Sequence, residues 1–467
     1  MTDYGSYSTA VSPSKGKSLA IFSVRSILLF FAWLCMWQGW HVGGSIFQLN
    51  FLWEFIPGLN LFLHENILLI TFLLLILERI LSGDFTLVRS YFSGPMILIG
   101  IALIISWSMG MYMRQEFILV YEAHESILIP ISFFILINVF RDPSDRKRLL
   151  VFFFFATIMK AADSIWIGFF SKDEQKGWGT VLFWRDGFLL CMGVVATFIM
   201  AQYRGRTYRW LRNLMFLSGP LIMYGLIISY RRTFILALAV SVFAMFFTVG
   251  RGKRKKQIWL FITFLIGTAV CILITDPIGM IGRLFGAMLM PTEEGSSYIR
   301  LMEYPNILQN IYHHPIFGIP IGTQWFQYYR MPIFANYTTL GCHNSYLYWP
   351  LRTGILGSFA FLWFLARTWK AILINIRIQK TEEDFLMNQL LLHCMIVYNF
   401  ACFLGLMYAD AMNIMTAFIL VMIQLQMTHA SGLISYRKVN FWQTILQKKI
   451  VSRKPVMLVT SSVEAIT

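Results

Sequence analysis

Charge is what this chain has least of. Only 13% of its 467 residues are Asp, Glu, Lys or Arg, against about 25% in an ordinary soluble domain. Mean hydropathy is +0.62 and 57% of residues are hydrophobic, so too little polar surface remains to cover a soluble globule. Also missing are segments of about ten residues that alternate in polarity, which a membrane β-barrel requires. Apolar runs of about 20 residues recur instead, each able to cross a hydrocarbon core about 30 Å thick. The expected class is all-α, a polytopic helical membrane protein.

Cysteine is scarce in the one place where it could do chemistry. Of Cys35, Cys191, Cys271, Cys342, Cys394 and Cys402, only Cys342 falls outside an apolar run, which excludes a loop disulfide and a Cys-rich metal site. The long polar stretch also lacks a cluster of Asp, Glu and His suited to a divalent cation, so no metal and no cofactor is expected. No small-residue cleavage site follows the first apolar run, which reads as a retained first helix.

The apolar runs place spans at about 19–38, 60–81, 92–110, 117–140, 148–170, 180–202, 209–229, 232–249, 257–275, 350–372, 386–408 and 410–428, roughly twelve helices by length and periodicity. Residues 43–59, Gly-rich and holding Pro57, are too broken to span. The expected organisation is nine helices over 1–275, a large extracytoplasmic loop with short helices over 276–349, three helices over 350–428 and a basic tail over 429–467.

The charge that is present is lopsided, with a formal net of +16. With the N-terminus inside, the inner segments collect Lys15 and Lys17, Arg79 and Arg89, Arg146 to Arg148, Arg204 to Arg212, Arg251 to Lys256, and the tail from Arg437 to Lys454. The outer side keeps only Arg114, Lys172, Lys176, Arg231, Arg232, Arg283, Arg300 and Arg330. Basic residues mark cytoplasmic segments. The positive charge is therefore membrane anchoring and not a nucleic-acid surface, both termini are expected in the cytoplasm, and the long loop faces out.

Each outer arginine then needs a reason. Arg231 and Arg232 sit in a tight turn between two helices, where snorkelling to the interface is the simplest structural account. Arg300 lies on an expected surface helix from Ser296 to His313; Glu303 follows at i+3, giving a local ion pair as the simplest alternative. Tyr304-Pro305 is expected to break that helix. Lys160, Asp163, Arg185, Asp186, Arg352 and Asp410 lie in outer halves of helices, with Glu122. Intramembrane charges face one another or a cavity, so internal pairing is one reading and a wet chamber open to the outside, lined by these six, is the other.

Four segments in order carry a family resemblance: Tyr230-Arg231-Arg232-Thr233, then Arg300, then His314-Pro315-Ile316-Phe317-Gly318, and finally His343-Asn344-Ser345-Tyr346-Leu347 followed by Gly354-Ile355-Leu356-Gly357. Together with the topology, this pattern resembles the signature region of the O-antigen ligase and O-antigen polymerase superfamily. Gly318-Ile319-Pro320-Ile321-Gly322 departs from the Gly-x-Gly of many relatives.

The resemblance implies a glycosyltransferase of the bacterial inner membrane with a periplasmic loop. It would move a glycan from an undecaprenyl pyrophosphate carrier to a glycan or lipid A-core acceptor, as polymerase or ligase, alongside flippase and chain-length regulator proteins and bilayer lipid. The residues fit that chemistry. Guanidinium groups bind a diphosphate bidentately and stabilise charge as the glycosidic bond breaks, which points to Arg300 with Arg231 or Arg232. A neutral imidazole is a suitable base for the acceptor hydroxyl, which points to His343; its structural alternative is a cap on the next helix through Asn344 and Ser345. His313 and His314 read as turn residues. The competing class is a polytopic transporter of a small anionic or polar solute, whose sites lie near the midplane of broken helices, often within inverted repeats; no internal repeat is visible here.

Overall fold

The protein is described from a computed structural model. It describes residues 26–30, 32–33, 52–56, 59–82, 87–113, 116–140, 142–170, 184–203, 205–229, 232–248, 258–259, 261–263, 266–267, 270, 295–330, 342–404, 410–431 and 437–439. The elements run β1 (Leu52–Ile56), β2 (Leu59–Phe62), α1 (Leu63–Ser82), β3 (Leu87–Arg89), α2 (Ser93–Tyr112), α3 (Glu116–Val139), α4 (Asp145–Phe170), α5 (Trp184–Met200), α6 (Arg209–Ile228) and α7 (Arg232–Thr248). After them come α8 (Gly295–His313), α9 (Ser345–Ile378), α10 (Glu382–Leu404), α11 (Asp410–Ser431) and β4 (Arg437–Val439).

Ten of the expected spans coincide with these helices to within several residues, because the apolar runs that set the expectation are the helices. Among the described residues, six helices are long and apolar enough to cross a membrane: α2, most of α4, α6, α9, α10 and most of α11. Three shorter apolar stretches join them within α3, α5 and α7. The expected spans 19–38 and 257–275 fall largely outside the described residues, as does the basic tail apart from the end of α11 and β4. The all-α expectation needs one addition. Two short antiparallel ladders occur, β1, in the stretch read as too broken to span, with β2 at the start of the expected span 60–81, and β3 with β4.

The helices are packed inside-out relative to a soluble protein. On α2, Met96, Ile99 and Leu103 are buried while Ile97, Ile101 and Ile104 are exposed, so both faces of the helix are apolar and the outer one suits lipid. Small residues let helices approach closely: Gly225 of α6 faces Ser164 of α4, where a Cβ would come within 3.2 Å of the serine. Interior polar contacts tie the bundle together, as expected where lipid offers no competing partners. Ser126 of α3 meets the Tyr348 hydroxyl at 2.8 Å. His393 of α10 bridges Ser241 and Thr248 of α7 at 3.2 and 3.1 Å.

At one end of the bundle, an ionic knot joins four helices. Arg146 of α4 reaches Glu383 at 2.9 Å and Asp384 at 3.3 Å, both on α10, and donates to Gln426 of α11 at 2.7 Å. Tyr208, just ahead of α6, donates to Glu383 at 3.0 Å. Burial first, and then the Glu383 charge, push its phenol well above the usual range. Thr381 and Asp384 cap the start of α10 reciprocally, the capping-box arrangement that satisfies two otherwise orphan N–H groups.

The α9 segment is two helices. Gly354 has φ 58° and ψ −149° inside it, a conformation open to glycine and unfavourable for residues with a Cβ. Tyr346 and Phe361 would lie about 22 Å apart on a straight helix rising 1.5 Å per residue, yet their rings are 5.7 Å apart and Trp349 stacks on Phe361 at 5.5 Å. The chain therefore folds back at Gly354, and 345–353 lies alongside 355–378. The span expected to begin at 350 belongs to the second of these helices.

Candidate functional site

The polar segment after residue 295 is organised by one helix, α8. Contrary to expectation, Tyr304-Pro305 does not break it; α8 runs continuously with Pro305 inside. The proline removes one backbone donor, and the neighbouring Asn306 side chain donates to the Met302 carbonyl at 2.8 Å. Three polar side chains on one face of α8 then dock the rest of the segment. Glu303, Asn306 and Asn310 are all buried, at spacings that share a helical face.

Each asparagine grips a backbone residue of the returning chain with both of its polar atoms. Asn306 accepts from the Tyr329 N–H at 2.7 Å and donates to the Tyr329 carbonyl at 3.0 Å. Asn310 does the same to Phe326, at 2.9 and 2.7 Å. This holds an exposed aromatic strip against α8, in which His313 stacks on Tyr328 at 5.2 Å.

Glu303 docks His343. One oxygen accepts from the His343 backbone N–H at 2.9 Å, and the other lies 2.7 Å from the His343 Nδ1. The carboxylate has no exposure while the imidazole is 37% exposed. Because a carboxylate only accepts, the neutral ring carries its hydrogen on Nδ1, which leaves the Nε2 lone pair on the opposite edge of a partly exposed ring. Glu303 thus pairs with His343; the expected ion pair with Arg300 rests on a side chain outside the described residues.

The neighbours of His343 serve the fold. Asn344 caps α9, accepting from Tyr346 N at 2.9 Å and Leu347 N at 3.2 Å, so the capping role considered for His343 falls to the next residue. Cys342 is buried, and burial first, with the Glu303 charge second, pushes its thiol well above the ordinary value.

Next to this pair opens a groove of about 810 Å³ between α7, α8, α9 and α10. Val240, Leu308, Trp369 and Phe403 give it an apolar wall, and Tyr304 and Asn344, adjoining Glu303 and His343 in the chain, also line it. Such a surface suits a hydrocarbon chain.

The family glycines meet at the fold-back of α9. Gly318 has φ 69°, and a Cβ there would meet the Leu351 carbonyl oxygen at 2.6 Å and the Gly354 nitrogen at 2.7 Å. Ile319 N donates to Leu351 O at 2.6 Å, and Ile355 N donates to Pro315 O at 3.0 Å. The His-Pro-Ile-Phe-Gly turn and the Gly-Ile-Leu-Gly segment are thus two halves of one backbone lock.

The other sequence-selected residues divide clearly. Lys160 lies 3.2 Å from Asp163 and 3.3 Å from Asp186, and none of the three has exposed surface. These three are paired with one another inside the bundle. Arg352 is likewise fully buried. It donates to the carbonyls of Pro320 at 3.2 Å and Thr323 at 2.7 Å, so it staples the loop onto the fold-back. Ser106 of α2 completes the staple, donating to Arg352 O at 2.6 Å and accepting from Ile321 N at 3.0 Å. Arg231 and the side chains of Arg185, Arg232, Arg300, Asp410 and Glu122 lie outside the described residues. The backbone places Arg300 one turn before Glu303 on α8. Among the described residues no group of three or more His, Cys, Asp or Glu is arranged to hold a metal.

Residues 214–362 match the family model of the O-antigen ligase. Over that stretch the chain is similar to the O-antigen ligase family. The match covers about a third of the sequence and takes in Arg231, Arg232, Arg300, Glu303, His343 and the glycine lock. It supports the superfamily resemblance carried by the motifs, and with it a membrane glycan-processing role. No curated protein matches the chain.

Proposed function

We propose that the protein is a metal-independent, inverting glycosyltransferase of a bacterial cytoplasmic membrane, acting as a polysaccharide polymerase or ligase on the outer face. The observation that carries this reading is the His343 imidazole, tethered through Nδ1 to a buried carboxylate beside an apolar groove. The donor is a glycan on undecaprenyl pyrophosphate, whose polyprenyl chain lies in the groove. The acceptor is a hydroxyl of a glycan or of a lipid A-core.

In the proposed step, the acceptor oxygen attacks the anomeric carbon while its proton passes to His343 Nε2. The bond from that carbon to the diphosphate oxygen breaks, and its electron pair leaves on the carrier pyrophosphate. Arg300, with Arg231 or Arg232, binds the diphosphate and stabilises the charge it gains. Attack opposite the leaving group inverts the anomeric centre. Residues 276–349 face the periplasm in this reading, with both termini in the cytoplasm.

The test is His343→Ala and Arg300→Ala in a strain that depends on this protein for its surface polysaccharide, with membrane levels checked by immunoblot. Loss of product in both is expected, and Arg300→Lys should fail as well because an ammonium cannot form the bidentate contact. Normal product from both alanine variants would overturn the assignment. Accumulation of single lipid-linked repeat units in the inactive strains indicates a polymerase; accumulation of long lipid-linked chains indicates a ligase.

A further inference from the structure

Glu303 stands out as a fully buried carboxylate whose two oxygens both address the same residue, His343, at 2.9 and 2.7 Å. A neutral glutamine would fill the same space and accept the same backbone N–H at a lower desolvation cost. An anchor for the 342–344 segment therefore does not require an ionised group, whereas control of the imidazole does. We propose that Glu303 is a positioning residue for glycosyl transfer, holding His343 in the Nδ1–H tautomer with Nε2 free to take the acceptor proton.

Two consequences follow from the two-point grip. With one oxygen fixed on the backbone N–H, the carboxylate cannot turn away from the ring, so the ring orientation is set by α8. When Nε2 takes the acceptor proton, the imidazolium forms against an anion at hydrogen-bonding distance, a charge-assisted contact that is stronger than the neutral one it replaces. Supporting carboxylates of this kind fix both the tautomer and the orientation of a histidine. The inference rests on the base role given to His343 above.

Glu303→Gln tests it in the full-length protein. The glutamine oxygen can still accept the backbone N–H, but its NH2 group then faces Nδ1 and favours hydrogen on Nε2, the wrong tautomer for a base. Expected are wild-type membrane levels and thermal stability, affinity for undecaprenyl pyrophosphate in nanodiscs within about threefold, and product reduced by about 100-fold, the upper range for loss of a supporting partner. The ring 15N signals of His343, assigned by their disappearance in His343→Ala, should report hydrogen on Nδ1 in the wild type and on Nε2 in the variant.

Wild-type product from Glu303→Gln would overturn the inference. So would a fall in thermal stability accompanied by loss of carrier affinity, which marks a structural anchor. If Glu303→Gln does not accumulate, the wild-type ring spectrum decides alone, since hydrogen on Nε2 there also overturns the inference. An active His343→Ala protein locates the failure in the base assignment itself, whereas inactive His343→Ala with active Glu303→Gln locates it in Glu303.

Discussion

Gly318 and Gly354 lie backbone against backbone, each in a positive-φ conformation, with the Gly354 nitrogen 2.7 Å from where a Cβ on Gly318 would sit. Neither position can accept even a methyl group without moving main chain. Gly354→Ala and Gly318→Ala should each destabilise the protein by at least about 2 kcal/mol, since the left-handed conformation alone disfavours a non-glycine residue by about 1–2 kcal/mol before any overlap is counted. Thermal unfolding in detergent measures this. A Gly318→Ala protein as stable as the wild type would mean that the lock is not required.

Arg352 should act on the same lock from beneath. Removing its guanidinium takes this donor from the buried Thr323 carbonyl, an effect of about 1–3 kcal/mol, while the Pro320 carbonyl keeps the Thr323 N–H and hydroxyl. Limited proteolysis of Arg352→Ala should show faster cleavage around residues 318–323 than in the wild type, with the helices around it intact. Unchanged cleavage there would remove Arg352 from the account of the loop.

The opposite end of the bundle makes an independent prediction. Arg146 faces Glu383 and Asp384 together, so Arg146→Ala removes the nearest cation from two largely buried carboxylates. Breaking a buried ion pair by removing one partner costs about 3–5 kcal/mol. The variant should fail to accumulate in membranes, and replacing Glu383 and Asp384 with their amides in the same chain should restore accumulation in part. No rescue would show that Arg146 stabilises by other means.

Cys342 gives a chemical readout of whether the site is closed. Its thiol is buried, and burial together with the Glu303 charge raises its pKa. The thiolate is therefore depleted at neutral pH, and because the thiolate is the reacting species, a membrane-impermeant maleimide should label Cys342 in the denatured protein only. Rapid labelling of the folded protein in right-side-out or inverted vesicles would contradict the closed packing around Glu303.

Most of the helical framework was legible in the sequence because hydrophobic run length is a strong signal in lipid. His343 was legible too, as a histidine at the end of a polar segment. The partner of that histidine was not. Glu303 sits one turn after Arg300, and at that spacing an ion pair within the helix is the natural expectation. The contact that Glu303 makes with His343 spans 40 residues of chain, and no local periodicity encodes it. Gly354 was visible only as part of a motif, because a glycine within an apolar run also marks close helix packing. Its positive φ depends on the His-Pro turn that arrives from elsewhere. Lys160, Asp163 and Asp186 were recognised as an unusual charge group, but burial, which separates an internal pair from a cavity wall, is a property of the folded neighbours.

Three anchor points on α8, at Glu303, Asn306 and Asn310, make that helix the common reference for everything docked on it. A tilt or axial slide of α8 cannot adjust the histidine alone; it carries the Phe326–Tyr329 backbone along, together with the turn on which Arg300 stands. Any movement that opens this face would therefore shift the histidine and the aromatic strip as a unit, preserving their spacing while changing their distance from the bilayer helices behind them.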